Sequence, residues 1–91
     1  MKIKMFTKTV CPTCKTAKQQ LSFLPVPIEI DEINIEEYQE DYYGIDGELY
    51  ASPLEYMTEY LDSMSTPTFE FEDGSVVRGF EMGQIMEKLG L

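Results

Sequence analysis

Met1-Lys2-Ile3-Lys4-Met5-Phe6-Thr7-Lys8-Thr9-Val10-Cys11-Pro12-Thr13-Cys14 opens the chain, and its last four residues hold the only two cysteines. Met1 to Phe6 is apolar enough for a strand, and Lys15 to Leu24 has helical patterning. Strand, loop, then C-x-x-C opening a helix is the arrangement that thiol–disulfide chemistry uses. Unpaired backbone N–H groups at a helix start carry partial positive charge and favour a thiolate on Cys11. Pro12 falls near the first helical position, where its missing N–H costs nothing. Cys14 lies one turn on, within reach of a disulfide with Cys11. The competing readings are a zinc site and two inert buried thiols. Zinc usually takes four ligands, and a chain with no histidine and no second cysteine pair offers two, so no metal site is expected.

Outward from this stretch, the βα pattern continues. Cys14, Ala17, Leu21 and Leu24 form one stripe of a helix that Pro25 ends. Val26, Ile28 and Ile30 then alternate as a second strand, Val26 to Ile30, which makes a βαβ unit with a parallel pair and a right-handed crossover. Asn34, with Glu37 three residues later, resembles a helix start. Ile35, Tyr38 and Tyr42 would share a face of that helix, and Gly44 would stop it. Asp46-Gly47 marks a turn. Ser52-Pro53-Leu54-Glu55 is a further helix start, with Leu54, Met57 and Leu61 as its apolar side. Thr68 to Phe71 and Ser75 to Val77 read as a hairpin about Asp73-Gly74. Gly79 breaks the pattern, and Met82, Ile85, Met86 and Leu89 space as a final helix. The order βαβ, helical insert, ββα predicts an α/β fold, a four-stranded mixed sheet with helices on both faces.

The 91 residues are expected to form a single domain, 1–91, with one modest core. A hydrophobic content of 43% excludes wholesale disorder. No apolar run has the length of a membrane span or of a signal-peptide core, so the chain reads as cytoplasmic. There, a C-x-x-C pair cycles between dithiol and disulfide rather than stapling the fold. Net charge is −10 and uneven: five of seven basic residues precede residue 19, and twelve of seventeen acids fall between Glu29 and Asp62. Nucleic-acid binding needs a basic patch and is not expected. All six tyrosines lie between Tyr38 and Tyr60, among acids, in an insert at about 38–62. Such a stretch either packs onto the domain with its hydroxyls in water or forms a docking surface for a basic protein.

Lys8-x-x-Cys11-Pro12-Thr13-Cys14, Thr66-Pro67 before the third strand, and Asp73-Gly74 followed by Gly79-Phe80-Glu81 occur in the order found in glutaredoxins. Along most of its length the chain resembles that family, within the thioredoxin-fold superfamily. The resemblance implies a dithiol–disulfide oxidoreductase with Cys11 and Cys14 as its catalytic pair. It implies that Pro67 is cis beside the cysteines, with the Thr66 backbone pairing to an incoming disulfide substrate. The residues it marks for substrate contact are Lys8, Pro12, Thr13, Thr66, Pro67, Arg78, Gly79, Phe80 and Glu81. No bound cofactor is implied, and glutathione is the expected co-substrate. The chain departs from the family in three ways. Arg78 stands where a Gly-Gly pair often begins, and the middle offers only acids and Gln39 for a second glutathione carboxylate. The 53 positions from Cys14 to Pro67 also exceed those of compact members. Gly79-Phe80 is similar to the glutaredoxin-like hydrogen donors of ribonucleotide reductase, which thioredoxin reductase recharges. The expected partners are therefore a disulfide-bearing protein, ribonucleotide reductase among the candidates, and either glutathione or thioredoxin reductase. The expected state is a monomer away from membranes.

Overall fold

Strand β1, Lys2–Thr7, is the pivot of the architecture, because its alternate residues seed two different cores. A computed structural model describes residues 2–91, so Met1, the expected start of this strand, lies outside the described residues. The main sheet has the order β2-β1-β5-β6, with β2 at Glu29–Asn34, β5 at Thr68–Phe71 and β6 at Val76–Arg78. β1 runs parallel to β2 and antiparallel to β5, and β5 antiparallel to β6. Ile3 and Met5 face a core built with Cys14, Ala17 and Leu21 of helix α1 (Pro12–Ser22), Phe69, Phe71 and Val77 of the sheet, and Ile85 of helix α3 (Met82–Lys88). Phe6 faces the other way, into a core with Tyr56, Met57 and Leu61. The expected mixed four-stranded sheet with helices on both faces is the fold.

Two expectations for the stretch after α1 are corrected. The second strand begins at Glu29, not Val26, and runs on to Asn34. Pro25 and Pro27 offer no N–H to a ladder, so pairing starts beyond them. Asp31 and Glu32 are tolerated because β2 is an outer strand. The helix expected from Asn34 to Gly44 is not formed. Asn34 instead ends β2, and its side chain accepts from the amides of Glu36 and Glu37 at 2.9 and 3.2 Å, holding a single turn. Tyr42–Tyr43 (β3) then pairs with Leu49–Tyr50 (β4) as a separate hairpin around the Asp46-Gly47 turn. A Cβ on Gly44 would collide with the Tyr56 ring, so only glycine lets this hairpin close on the second core.

Helix α2, Pro53–Glu55, has the expected cap: the Glu55 amide donates to Ser52 Oγ at 3.2 Å, and Glu55 Oε2 accepts from the Ala51 amide. It widens at once into a π-helical turn, Tyr56–Tyr60, with the Leu61 amide donating back to Tyr56 oxygen at 3.1 Å. A π turn holds an extra residue, which rotates the buried face away from a 3.6-residue stripe. Hence Tyr56, Met57 and Leu61 are buried, while Leu54, expected on the apolar side, is 45% exposed.

Candidate active site

Cys11 is the N-cap of α1, with Pro12 at the first helical position as expected. The side chains of Cys11 and Cys14 are joined in a disulfide with Cα atoms 5.2 Å apart. Cys11 Sγ also accepts from the Cys14 amide at 3.1 Å, so the sulfur occupies the place a capping oxygen would take. Both residues are buried, at 6% and 3% exposure, while Pro12 and Thr13 are exposed beside them.

Facing Cys11 is Thr66, at the end of the wall segment that runs from Leu61 to Pro67. Thr66–Pro67 is a cis peptide bond, and Thr66 Oγ1 stands 3.7 Å from Cys11 Sγ. With the sulfur in a disulfide, the hydroxyl is the donor. The Thr66 backbone makes no hydrogen bond among the described residues, which leaves its N–H and C=O open at the mouth of the site. Pairing around it is dense. The Gly79 amide donates to the Pro67 oxygen at 2.8 Å, and Thr68 Oγ1 donates to the Ser65 oxygen at 2.6 Å. Ser63 Oγ and Thr68 Oγ1 lie 2.7 Å apart, both buried. Ser63 and Thr68 were not marked by the sequence; as small hydroxyl residues near a proline they carried no distinguishing signal.

The remaining marked residues separate into two groups. Gly79 adopts φ +80°, a conformation glycine tolerates best, and its amide reaches the cis-proline. Phe80 packs on the core beneath the disulfide, and Glu81 is the exposed N-cap residue of α3. Arg78 points elsewhere: its Nε donates to the oxygens of Leu61 and Asp62 at 3.0 and 2.9 Å, fastening the wall segment to β6. Lys8 is exposed between β1 and α1 and forms no ion pair among the described residues. Its loop is steadied by the Thr9 amide, which donates to Glu36 Oε1 at 2.7 Å. Among the described residues, no group of three or more His, Cys, Asp or Glu side chains is placed to hold a metal ion, and no helix is long and apolar enough to cross a membrane.

On the far side of the sheet, Tyr56 binds the two layers. Its hydroxyl donates to Glu70 Oε2 and accepts from the Ile45 amide at 3.2 Å. Its ring stacks on Tyr60 at 5.1 Å and meets Tyr42 and Tyr50 at 5.2 and 5.0 Å. Burial, then the Glu70 bond, pushes the Tyr56 phenol far above its ordinary value of 10.0; burial, then the charge of Glu70, does the same to Tyr42. Burial, then the Asp46 bond, pushes Tyr50 up to about 12. A phenol whose folded value is raised keeps its proton longer in the native state than in the unfolded chain. Its stabilising contribution is therefore full below pH 10.0 and is lost as pH climbs toward the folded value. Urea midpoints measured across this range are expected to hold steady up to about pH 9 and then fall. A midpoint unchanged well above pH 10 would contradict the assignment.

A buried Cys11–Cys14 disulfide at a helix start, on a four-stranded thioredoxin-like sheet with a cis-proline opposite, defines a thiol–disulfide oxidoreductase. The chain belongs to the glutaredoxin family, whose model matches residues 3–76. Among solved structures it is similar to the thioredoxin-like protein BC3987, at 26% identity over 93% of this chain and 96% of that one, with a TM-score of 0.66. A point mutant of that protein gives 25% identity, 96% and 97% coverage and the same TM-score, 0.66. The glutaredoxin from Methanosarcina mazei Go1 shares the fold at 24% identity and TM-score 0.66, over 99% of this chain and 79% of that one. No curated protein matches the chain.

Proposed function

We propose that Cys11 is the attacking thiolate and Cys14 the resolving thiol of a dithiol reductase that acts on protein disulfides in the cytoplasm. The observation that carries the assignment is the capping position of Cys11 Sγ, 3.1 Å from the Cys14 amide, where a negative charge on the sulfur is stabilised. Cys11 thiolate attacks one sulfur of the substrate disulfide, forms a mixed disulfide and expels the other sulfur as a thiolate. Cys14, deprotonated, attacks Cys11 Sγ and releases the remaining substrate thiolate, so two electrons pass to the substrate and the Cys11–Cys14 bond closes. The open Thr66 backbone and the residues Lys8, Pro12, Thr13, Pro67, Gly79, Phe80 and Glu81 frame the substrate. Two glutathione molecules then reduce the pair and leave as glutathione disulfide. Ribonucleotide reductase is the leading candidate among protein substrates.

A second recycling route, through thioredoxin reductase, is favoured by one observation. Arg78, the basic residue available for a second glutathione carboxylate, spends its Nε on the oxygens of Leu61 and Asp62. Two coupled NADPH-oxidation assays on the oxidised protein separate the routes, with a low-molecular-weight disulfide as substrate. Turnover is expected with glutathione plus glutathione reductase. Turnover only with thioredoxin reductase would replace glutathione as the reductant, and silence in both would remove the enzymatic assignment of the cysteines.

A further inference from the structure

The tyrosine-rich stretch divides on folding. Tyr56 is consumed by the second core, but Tyr43 and Tyr38 stay 68% and 46% exposed. They line a groove of about 750 Å³ between β2 and the β3–β4 hairpin, together with Tyr42, Asp31, Ile33 and Glu37. A groove of this size is ample for a specific ligand.

Three features of the groove select its occupant. First, Asp31 and Glu37 have no ion-pair partner among the described residues, whereas neighbouring Glu32 is taken by Lys18 at 2.9 Å. Second, the rings already accept a cation: Lys4 Nζ sits 5.8 Å from the Tyr42 ring centroid. The same attraction is open to a second cation over Tyr38 or Tyr43. Third, four consecutive residues, Asp31 to Asn34, line the groove. Alternate residues of a strand face opposite ways, so a groove touching all four reaches the edge of β2 as well as the face on which Lys4 of β1, in register with Asp31, also lines it. That edge is the outer one of the sheet, where, among the described residues, β2 pairs only with β1. Its acids discourage pairing with a second copy of this chain and admit a basic strand.

We infer that this groove binds an extended polypeptide segment carrying arginine or lysine, whose cationic side chain enters between Tyr38, Tyr43, Asp31 and Glu37 while its backbone runs along β2. The site is separate from the disulfide and does not depend on which reductant recharges it. Main-chain pairing along the edge would supply affinity, and the aromatic–acid cleft the preference for a basic side chain.

The test is an amide NMR titration of the full chain with a blocked, cysteine-free pentapeptide that alternates valine with arginine, at fixed ionic strength. Shifts are expected at Ile33, Tyr38 and Tyr43 with a dissociation constant below about 1 mM. Tyr43→Ala removes no charge and alters an exposed side chain, so the fold and the reduction of a small disulfide should be unchanged. It is expected to weaken peptide binding by roughly three- to tenfold. Asp31→Asn with Glu37→Gln should weaken it further. Unchanged affinity in Tyr43→Ala would overturn the inference, as would shifts spread equally over Glu48 and Glu59. Equal binding of spermidine would exclude a polypeptide as the occupant.

Discussion

Cys11→Ser is expected to bring disulfide reductase activity down to the uncatalysed rate, a loss of at least about a thousandfold. A serine hydroxyl at the same N-cap would still accept the Cys14 amide, so α1 should keep its start and the variant the stability of the reduced parent. The loss would therefore be chemical. Cys14→Ser behaves differently under the same mechanism. It blocks resolution of a protein mixed disulfide but leaves Cys11 able to take a glutathionyl group and pass it to free glutathione. Deglutathionylation by Cys14→Ser should stay within about tenfold of the parent, while reduction of a protein disulfide fails. Activity surviving in Cys11→Ser, or the two variants showing the same pattern, would refute the order of attack.

The largest effect on stability is expected from Tyr56→Ala. Its ring touches Phe6, Tyr42, Tyr50 and Tyr60, and its hydroxyl serves both Glu70 and Ile45. Removing a buried aromatic side chain costs about 3–5 kcal/mol. That is a large share of the roughly 5–14 kcal/mol expected for a domain of this size. Tyr56→Phe isolates the hydroxyl. Glu70 is 2% exposed, and its other oxygen, Oε1, has no hydrogen-bond partner among the described residues, with Lys4 Nζ 3.9 Å away. Leaving the second oxygen unpaired should cost about 1–3 kcal/mol. Urea unfolding gives both values. A Tyr56→Phe protein as stable as the parent would mean that the Glu70 bond contributes nothing net. Neither change touches the disulfide face, so reduction of a small disulfide by folded Tyr56→Phe should match the parent.

The parts of this protein that were legible in its sequence are those where short-range chemistry decides. Cys11-Pro12 at a helix start, Ser52 capping the Glu55 amide, and the Asp73-Gly74 turn each act within a few residues, and each forms as read. Tyr42 misled the reading because Ile35, Tyr38 and Tyr42 have helical spacing. Their burial comes instead from a hairpin folding back onto the sheet, a long-range contact that no local period encodes. The burial of Glu70 had no local signal either. Alternation with Phe69 and Phe71 places it on the opposite face, but nothing nearby says that a tyrosine layer covers that face. At the site, the cis Pro67 beside the cysteines was reached through the family resemblance, whereas the contact of the Thr66 hydroxyl with Cys11 across 55 positions was not expected. The hydroxyl network of Ser63 and Thr68 and the tether from Arg78 left no trace in the pattern.

β1 gives one short segment two audiences. Ile3 and Met5 support the disulfide, while Lys4 and Phe6 support the tyrosines. A substitution at one position of this strand is therefore felt on one face of the sheet, and a substitution at the next position on the other.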